Sequence, residues 1–153
     1  MVDIVDSTKR SLMMSGIRGK NTRPELLVRK ALHAAGFRYR LHGRDLPGKP
    51  DMIFPKYSAV LFVHGCFWHG HDCPMFRLPS SRIEFWQTKI AGNLARDSLV
   101  ATRLSESGWR IGVVWECALK GRGKWPIKHV TEAIAIWLHG DLHDLNIRGH
   151  KYD

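Results

Sequence analysis

The stretch from residue 64 to residue 73 constrains this chain more than any other. It reads His-Gly-Cys-Phe-Trp-His-Gly-His-Asp-Cys, which places three histidines, two cysteines and two adjacent aromatic rings within ten residues. A packed core explains few of these side chains, because imidazole and thiol groups bring little apolar area and carry polar atoms that are costly to bury. The segment is therefore expected to be a loop that binds metal, moves protons or stacks on bases.

A candidate zinc site is formed by Cys66, His71, Cys73 and Cys117. The odd count of three cysteines favours free or metal-bound thiols over disulfides. Three thiolates and one imidazole can close a tetrahedral structural zinc site. Cys117 directly follows a predicted strand, so zinc bound there would fasten loop 64–79 to a sheet. His69 competes with His71 as the fourth ligand, and spacing alone leaves both open.

Size, charge and hydropathy limit the class of protein. The 153 residues, 44% of them hydrophobic, predict a single domain over 1–153 with an ordered core. The net charge is +10, and residues 1–50 alone hold 11 basic and 4 acidic side chains. This basic front half favours nucleic acid as the partner, because neutralising phosphates releases counterions. No apolar run approaches the roughly 20 residues of a membrane helix, so we expect a cytoplasmic protein without a membrane partner.

Hydrophobic periodicity and turn residues predict the element order α-β-β-β-α-β-α. Strands are expected at residues 37–41, 51–54, 59–63 and 109–115. Helices are expected between Thr22 and Gly36, at 83–106 and at 127–138, and a short basic helix at 7–18 within a DNA-contacting arm of residues 1–20. At the start of the helix between Thr22 and Gly36, Thr22 and Glu25 are expected to form a capping box. This order predicts an α/β fold with a mixed central sheet and helices on both faces.

Asp51 and the histidines after residue 63 form a candidate hydrolytic site. Asp51 opens one strand and the next strand ends at Val63 and His64, so pairing of the two strands would bring the carboxylate near residues 63–69. A carboxylate, nearby carbonyl oxygens and the distant Glu25 suit Mg²⁺, and an imidazole can accept a proton from water near pH 7. These groups indicate metal-assisted attack of water on a phosphodiester. Alone, each has a simpler interpretation: Asp51 and Glu25 as caps, and His64 as a sheet-edge histidine.

Three strings of this sequence closely resemble the very short patch repair endonucleases. They are Pro50-Asp51, His64-Gly65-Cys66-Phe67-Trp68-His69 and Trp115-Glu116-Cys117-Ala118-Leu119. The resemblance covers nearly the whole chain and implies a restriction endonuclease-like fold. It implies a Mg²⁺-dependent nick 5′ of the T in a T:G mismatch that arose by deamination of 5-methylcytosine.

The resemblance also implies a role for each candidate residue. Asp51 would be the carboxylate ligand of catalytic Mg²⁺ and Val63 would supply a backbone carbonyl, although the family usually has Thr there. His69 would be the general base, His64 a second imidazole at the phosphate, and Glu25 a metal partner through water. The structural zinc ligands would be Cys66, His71, Cys73 and Cys117, and the DNA-intercalating rings would be Phe67, Trp68 and Trp86.

The expected partner is double-stranded DNA with a T:G mismatch, bound by a nucleoid-associated monomer. Mismatch-repair proteins or a DNA cytosine methyltransferase system are further expected partners. Two alternatives remain open from the residues. One is a related restriction-type or nicking nuclease with another target site, and the other is a zinc-stabilised DNA-binding module without catalysis.

Overall fold

A mixed five-stranded sheet carries helices on both faces in the described part of the chain, residues 21–151 of a computed structural model. The elements are α1 (Arg23–Ala34), β1 (Arg40–Leu41), β2 (Met52–Phe54), a 3-10 turn (Pro55–Tyr57), β3 (Ala59–His64), α2 (Ile83–Glu106), β4 (Arg110–Trp115), the short α3 (Glu116–Leu119), α4 (Ile127–His139) and β5 (Asp144–Ile147). The helix expected at 7–18 and the arm of residues 1–20 lie outside the described residues.

The strand order β1-β2-β3-β4-β5 brings the ends of β3 and β4 to one edge of the sheet. The turn between β2 and β3 is short, so these strands pair antiparallel, with Met52 opposite Leu61. A parallel partner needs a long crossover, which α2 supplies between β3 and β4. His64 pairs with Trp115 at the last step of that ladder. Asp51, which precedes the antiparallel β2, therefore lies at the same edge as the end of β3.

Two apolar layers cover the sheet, which explains why β3 is an uninterrupted apolar run. On one face, α1 and α4 pack on alternate residues of the sheet through Val28, Leu32, Val130, Ile134, Trp137 and Leu138. On the other face, Leu104 of α2 packs against Val60 and Phe62 of β3. The predicted mixed sheet with helices on both faces is thus confirmed, and it is consistent with a restriction endonuclease-like fold.

The ends of α1 follow from its sequence. The Thr22 hydroxyl accepts a hydrogen bond from the Glu25 N–H at 3.3 Å, as an N-cap residue does. Gly36 adopts a φ of 96° just after the helix, and the Phe37 N–H then donates to the Leu32 carbonyl at 3.0 Å. The Glu25 side chain, however, accepts from the Asn21 N–H at 3.0 Å, so the capping box expected with Thr22 is wrong in its second half.

Two elements differ from the predicted order. The strand β5 was not predicted, because Asp144 and Asn146 are poor strand formers and the strand alternates between exposed and half-buried residues at the sheet edge. The helix α3, a single turn directly after β4, was not predicted either. The strand expected at 37–41 is confined to Arg40–Leu41. Among residues 21–151, no helix is both long enough and apolar enough to cross a membrane.

Candidate active site and metal centres

A cleft of about 1650 Å³ opens at the edge where β3 and β4 end. Six residues singled out from the sequence line it: Asp51, Val63, His64, Phe67, Trp68 and His69. Its wall also carries five basic side chains, namely Arg23, Arg44, Lys49, Arg96 and Lys120. The cleft therefore combines hydrolytic side chains, aromatic rings and positive charge, as a site for a nucleic-acid backbone requires.

The Asp51 carboxylate is anchored to the neighbouring strand. Its Oδ2 accepts a hydrogen bond from the Val63 N–H at 2.7 Å, a contact that the pairing of β2 with β3 makes possible. Burial raises the pKa of Asp51 to about 7; the Val63 N–H opposes this shift, and the nearby carboxylate of Glu25 adds to it. A carboxylate placed this way is costly to ionise without a cation beside it, which fits a divalent-metal site.

Glu25 is almost fully buried, at 1% exposure, although it lies in the first turn of α1. Its Oε2 lies 3.2 Å from Arg29 Nη1 and 2.8 Å from His42 Nε2. Glu25, His42 and Asp51 each offer one ligand atom, and these atoms lie within 4.8 Å of one another. The oxygen donors fit Mg²⁺, and His42 is a neighbour that the sequence analysis missed.

His64 and His69 form a stacked pair in the wall of the cleft. Their ring centroids are 3.7 Å apart and the planes are inclined by 14°. Burial, and next the positive charge that His69 can carry, lower the pKa of His64 to about 3. His64 is therefore neutral at pH 7, where it can both donate and accept a hydrogen bond.

Asp97 of α2 supports His69. The His69 Nδ1 lies 2.6 Å from the Asp97 Oδ2, so Nδ1–H donates to the carboxylate, and Nε2 is the ring nitrogen left to exchange a proton. This is the arrangement that orients a general-base histidine in hydrolases. Asp97 was not predicted from the sequence, because it lies inside a long helix where an acidic residue is ordinary.

The second cluster joins Cys66, His71, Cys73 and Cys117, whose ligand atoms lie within 4.8 Å of one another. His71 Nδ1 lies 3.6 Å from the sulfur of Cys66 and 3.6 Å from that of Cys117. Tetrahedral zinc with Zn–S near 2.3 Å and Zn–N near 2.05 Å would set this edge at about 3.6 Å. The donor set and its spacing therefore fit zinc, and His71 rather than His69 is the imidazole at the thiols.

Backbone hydrogen bonds to the cysteine sulfurs also favour a zinc site. The Cys117 N–H donates to Cys66 Sγ and the Gly149 N–H donates to Cys117 Sγ, each at 3.3 Å. Burial raises the pKa of both thiols. Thiolates here would therefore be costly without a metal ion to stabilise their charge.

The segment between β3 and α2, residues 65–82, is tied down on both sides. Asn93 of α2 donates to the Trp68 carbonyl at 2.8 Å, and the Cys66 N–H donates to the Glu116 carboxylate at 3.2 Å. The Trp115 ring stacks on His71, with centroids 3.9 Å apart, and also contacts His64. The cluster of three cysteines and His71 and the stacked histidines thus both contact the Trp115 ring.

The three aromatic residues expected to meet DNA form one mutual cluster. Phe67, Trp68 and Trp86 have centroids 5.1 to 5.8 Å apart, and each ring is half-buried. Trp86 lies outside the buried core, although it falls near the apolar phase of α2. The rings are therefore held by one another while part of each surface stays open to a ligand.

Comparison with known proteins assigns the family. The family model described as "DNA mismatch endonuclease Vsr" matches residues 2–75. DNA mismatch endonuclease Vsr of Escherichia coli (strain K12) is 41% identical over 141 residues, which cover 92% of this chain and 90% of that protein. Type II nicking enzyme V.XorIIP of Xanthomonas oryzae pv. oryzae is 50% identical over 123 residues, which cover 80% of this chain and 90% of that protein. Type II nicking enzyme V.NmeAIP of Neisseria meningitidis serogroup A is 47% identical over 122 residues, with 80% and 87% covered.

The cleft and the mixed sheet are consistent with a nuclease. The chain belongs to the Vsr family of DNA mismatch endonucleases, as its resemblance to the very short patch repair enzymes predicted. It is therefore a DNA endonuclease, and the alternative of a DNA-binding module without catalysis is set aside.

Proposed function

We propose that this endonuclease nicks DNA 5′ of the T in a T:G mismatch by Mg²⁺-dependent hydrolysis of the phosphodiester. The observation that carries the proposal is the meeting, in one basic cleft, of half-buried Asp51, of His69 with its Asp97 partner, and of the aromatic pair Phe67 and Trp68. The name of the Escherichia coli relative, a DNA mismatch endonuclease, supports the same substrate.

Asp51, the backbone carbonyl of Val63 and, through water, Glu25 are the proposed holders of Mg²⁺. A divalent ion held there would neutralise charge on the phosphate and lower the pKa of bound water. Only the carbonyl of residue 63 is needed for this, so Val63 can serve where the family usually has Thr. Asp51 keeps its orientation through the 2.7 Å hydrogen bond from the Val63 N–H.

His69 is the proposed general base. With Nδ1–H held by Asp97, its Nε2 can take the proton of an attacking water, and the carboxylate stabilises the imidazolium that forms. His64, neutral and stacked on His69, is the proposed hydrogen-bonding partner of the phosphate.

The cluster of Cys66, His71, Cys73 and Cys117 is the proposed structural zinc site. Four protein ligands leave no open position for a substrate, which is the property of a structural rather than a catalytic zinc. Zinc bound there would hold residues 65–82, and with them His69 and Trp68, at the end of β3.

Phe67, Trp68 and Trp86 are the proposed mismatch sensors. Wedging rings between base pairs costs a few kcal/mol per step in lost stacking, and the cost is smaller where a mismatch has already weakened the stack. The basic side chains of the cleft would contact phosphates and set affinity more than sequence choice. Acting on deaminated 5-methylcytosine would link the enzyme to a DNA cytosine methyltransferase system, to mismatch-repair proteins and to the nucleoid.

A duplex assay tests the proposal. Zinc-loaded protein is incubated with end-labelled duplexes that differ only by T:G, T:A or C:G at one site, with Mg²⁺ or with no added divalent ion. We expect a single nick 5′ of the mismatched T, in Mg²⁺ only. Cleavage of the paired duplexes at a fixed sequence would instead favour a nicking enzyme with another target site, in keeping with the names of the relatives from Xanthomonas and Neisseria.

A further inference from the structure

We propose that His42 is a third ligand of a divalent-cation site with Glu25 and Asp51, and that the site therefore prefers a first-row transition ion such as Mn²⁺ to Mg²⁺. The inference rests on the proposed function, because it adds a nitrogen ligand to the cation site of the proposed hydrolysis. It also places Glu25 on the ion directly, in place of the water-bridged contact of the proposed function. It concerns the choice of ion, which the proposed function leaves unexplained.

His42 lies beside Asp51 because the pairing of β1 with β2 continues for one step beyond β1. Leu41 pairs with Met52, and the His42 N–H then donates to the Asp51 carbonyl at 3.1 Å. Cross-strand partners of this kind hold their Cβ atoms close together. Glu25 joins the pair from the first turn of α1, with its Oε2 2.8 Å from His42 Nε2.

The backbone of His42 adopts a less common conformation. Its φ is 49°, in the left-handed region, where histidine, asparagine and aspartate occur more often than most residues other than glycine. Such a conformation persists where surrounding contacts impose it. Here the next residue is also fixed, since the Gly43 N–H donates to the Pro50 carbonyl at 3.0 Å.

The donor atoms are spaced for one ion. Two ligands bound cis at about 2.1 Å in an octahedron lie about 3.0 Å apart, close to the 2.8 Å between Glu25 Oε2 and His42 Nε2. All three ligand atoms lie within 4.8 Å of one another. Arg29 also holds Glu25 Oε2, at 3.2 Å, and a carboxylate oxygen has lone pairs for both a guanidinium and a cation.

The ligand types decide which ion is favoured. Mg²⁺ takes oxygen donors and keeps its waters, whereas imidazole raises the affinity for first-row transition ions such as Mn²⁺ and Co²⁺. A site with two carboxylates and one imidazole should therefore hold Mn²⁺ more tightly than Mg²⁺, and His42 should be the source of the difference.

The test compares the zinc-loaded full chain with its His42→Asn variant, without DNA. Asparagine tolerates a positive φ and offers an oxygen in place of the nitrogen. Free Mn²⁺ is followed by electron paramagnetic resonance, Mg²⁺ is measured by competition, and ¹⁴N coupling to bound Mn²⁺ is recorded by electron spin echo modulation. His33→Asn, at an exposed position of α1, is the matched control.

We expect the Kd for Mn²⁺ to rise about 10- to 100-fold in His42→Asn, with loss of ¹⁴N coupling and less than about a threefold change for Mg²⁺. His33→Asn should match the unsubstituted protein, and His42→Ala, a second variant, should lose Mn²⁺ affinity as well. Equal Mn²⁺ affinity in both His42 variants and the unsubstituted chain, unchanged ¹⁴N coupling, or no Mn²⁺ binding by the unsubstituted chain would overturn the proposal.

The nicking assay separates this inference from the proposed function. If the unsubstituted chain nicks the T:G duplex while His42→Asn keeps its Mn²⁺ affinity, the His42 inference alone is wrong. If Mn²⁺ binding depends on His42 but no duplex is nicked at the mismatch, the proposed function alone is wrong.

Discussion

Burial of the Asp51 carboxyl sets a conflict between stability and the proposed chemistry. Its pKa is raised from 3.8 to about 7 in the folded chain. Between these values the folded chain binds more protons than the unfolded one, so the free energy of unfolding falls as pH rises and the full penalty is present above about pH 7. The cost is on the order of 2–4 kcal/mol when no cation is bound.

Asp51→Asn should therefore stabilise the protein when no Mg²⁺ or other cation for the Asp51 site is added. Asparagine cannot ionise, and its carbonyl oxygen can still accept from the Val63 N–H. We expect the variant to melt at least about 4 °C above the unsubstituted, zinc-loaded chain at pH 8, and the gap to close toward pH 4. Calorimetric melting across this range checks it, with exposed Asp141→Asn as control. A gap that does not change with pH would contradict the assigned burial penalty.

Some site residues could be found from the sequence and others could not. Asp51 and residues 63–69 were predictable as neighbours, because a short turn between two strands forces them together. His42 and Asp97 were not, because their contacts with Glu25 and His69 span 17 and 28 residues. Such contacts depend on the packing of whole helices, which local patterns do not specify.

At the scale of elements, the segment 65–82 depends on its anchors. It has no helix or strand of its own, and it carries His69 and Trp68 of the proposed active site. Asn93 fixes it to α2, and Glu116 together with the cluster of Cys66, His71, Cys73 and Cys117 fixes it to α3. Loss of zinc should therefore loosen the segment 65–82 more than it loosens the sheet.

Cys117→Ser should remove zinc and destabilise the fold. Serine is a poor zinc ligand, and structural zinc binding is part of the folding free energy. We expect less than one zinc per chain and a loss of about 3 kcal/mol or more, measured by metal analysis and denaturant unfolding. The unsubstituted chain stripped of zinc by a chelator should show the same loss. One bound zinc and unchanged unfolding in the variant would refute the proposed site.

The elements themselves were largely predictable. The predicted bounds 83–106 match α2, since an apolar phase runs from Ile83 to Leu104 and Gly108 follows. The strand β3 was clear as an apolar run between polar turns. In contrast, β5 could not be predicted from the sequence, because its alternation of polar and apolar residues spans only four positions and the strand lies at the edge of the sheet.

At the scale of the whole molecule, general affinity for DNA and preference for a mismatch should depend on different residues. The charge of +10 gives general affinity for DNA, whereas the aromatic cluster gives the proposed preference for a mispair.

Trp68→Ala should therefore weaken binding to a T:G duplex about tenfold, at roughly 1–3 kcal/mol per lost stack, and binding to the matched T:A duplex much less. Fluorescence anisotropy at fixed salt measures both, with Trp125→Ala, away from the cluster, as control. Equal losses on both duplexes would argue against intercalation.

The central claim is that Asp51 and the Asp97-supported His69 act on one phosphodiester in the same cleft. The most direct measurement is the single-turnover nicking rate on a T:G duplex in Mg²⁺, for the unsubstituted chain, Asp51→Asn and Asp97→Asn, with DNA affinity measured in parallel. We predict that Asp51→Asn lowers the rate at least about 10³-fold and Asp97→Asn about 10²- to 10⁴-fold, while affinity changes less than about threefold. A nicking rate within tenfold of the unsubstituted chain in either variant would contradict the account.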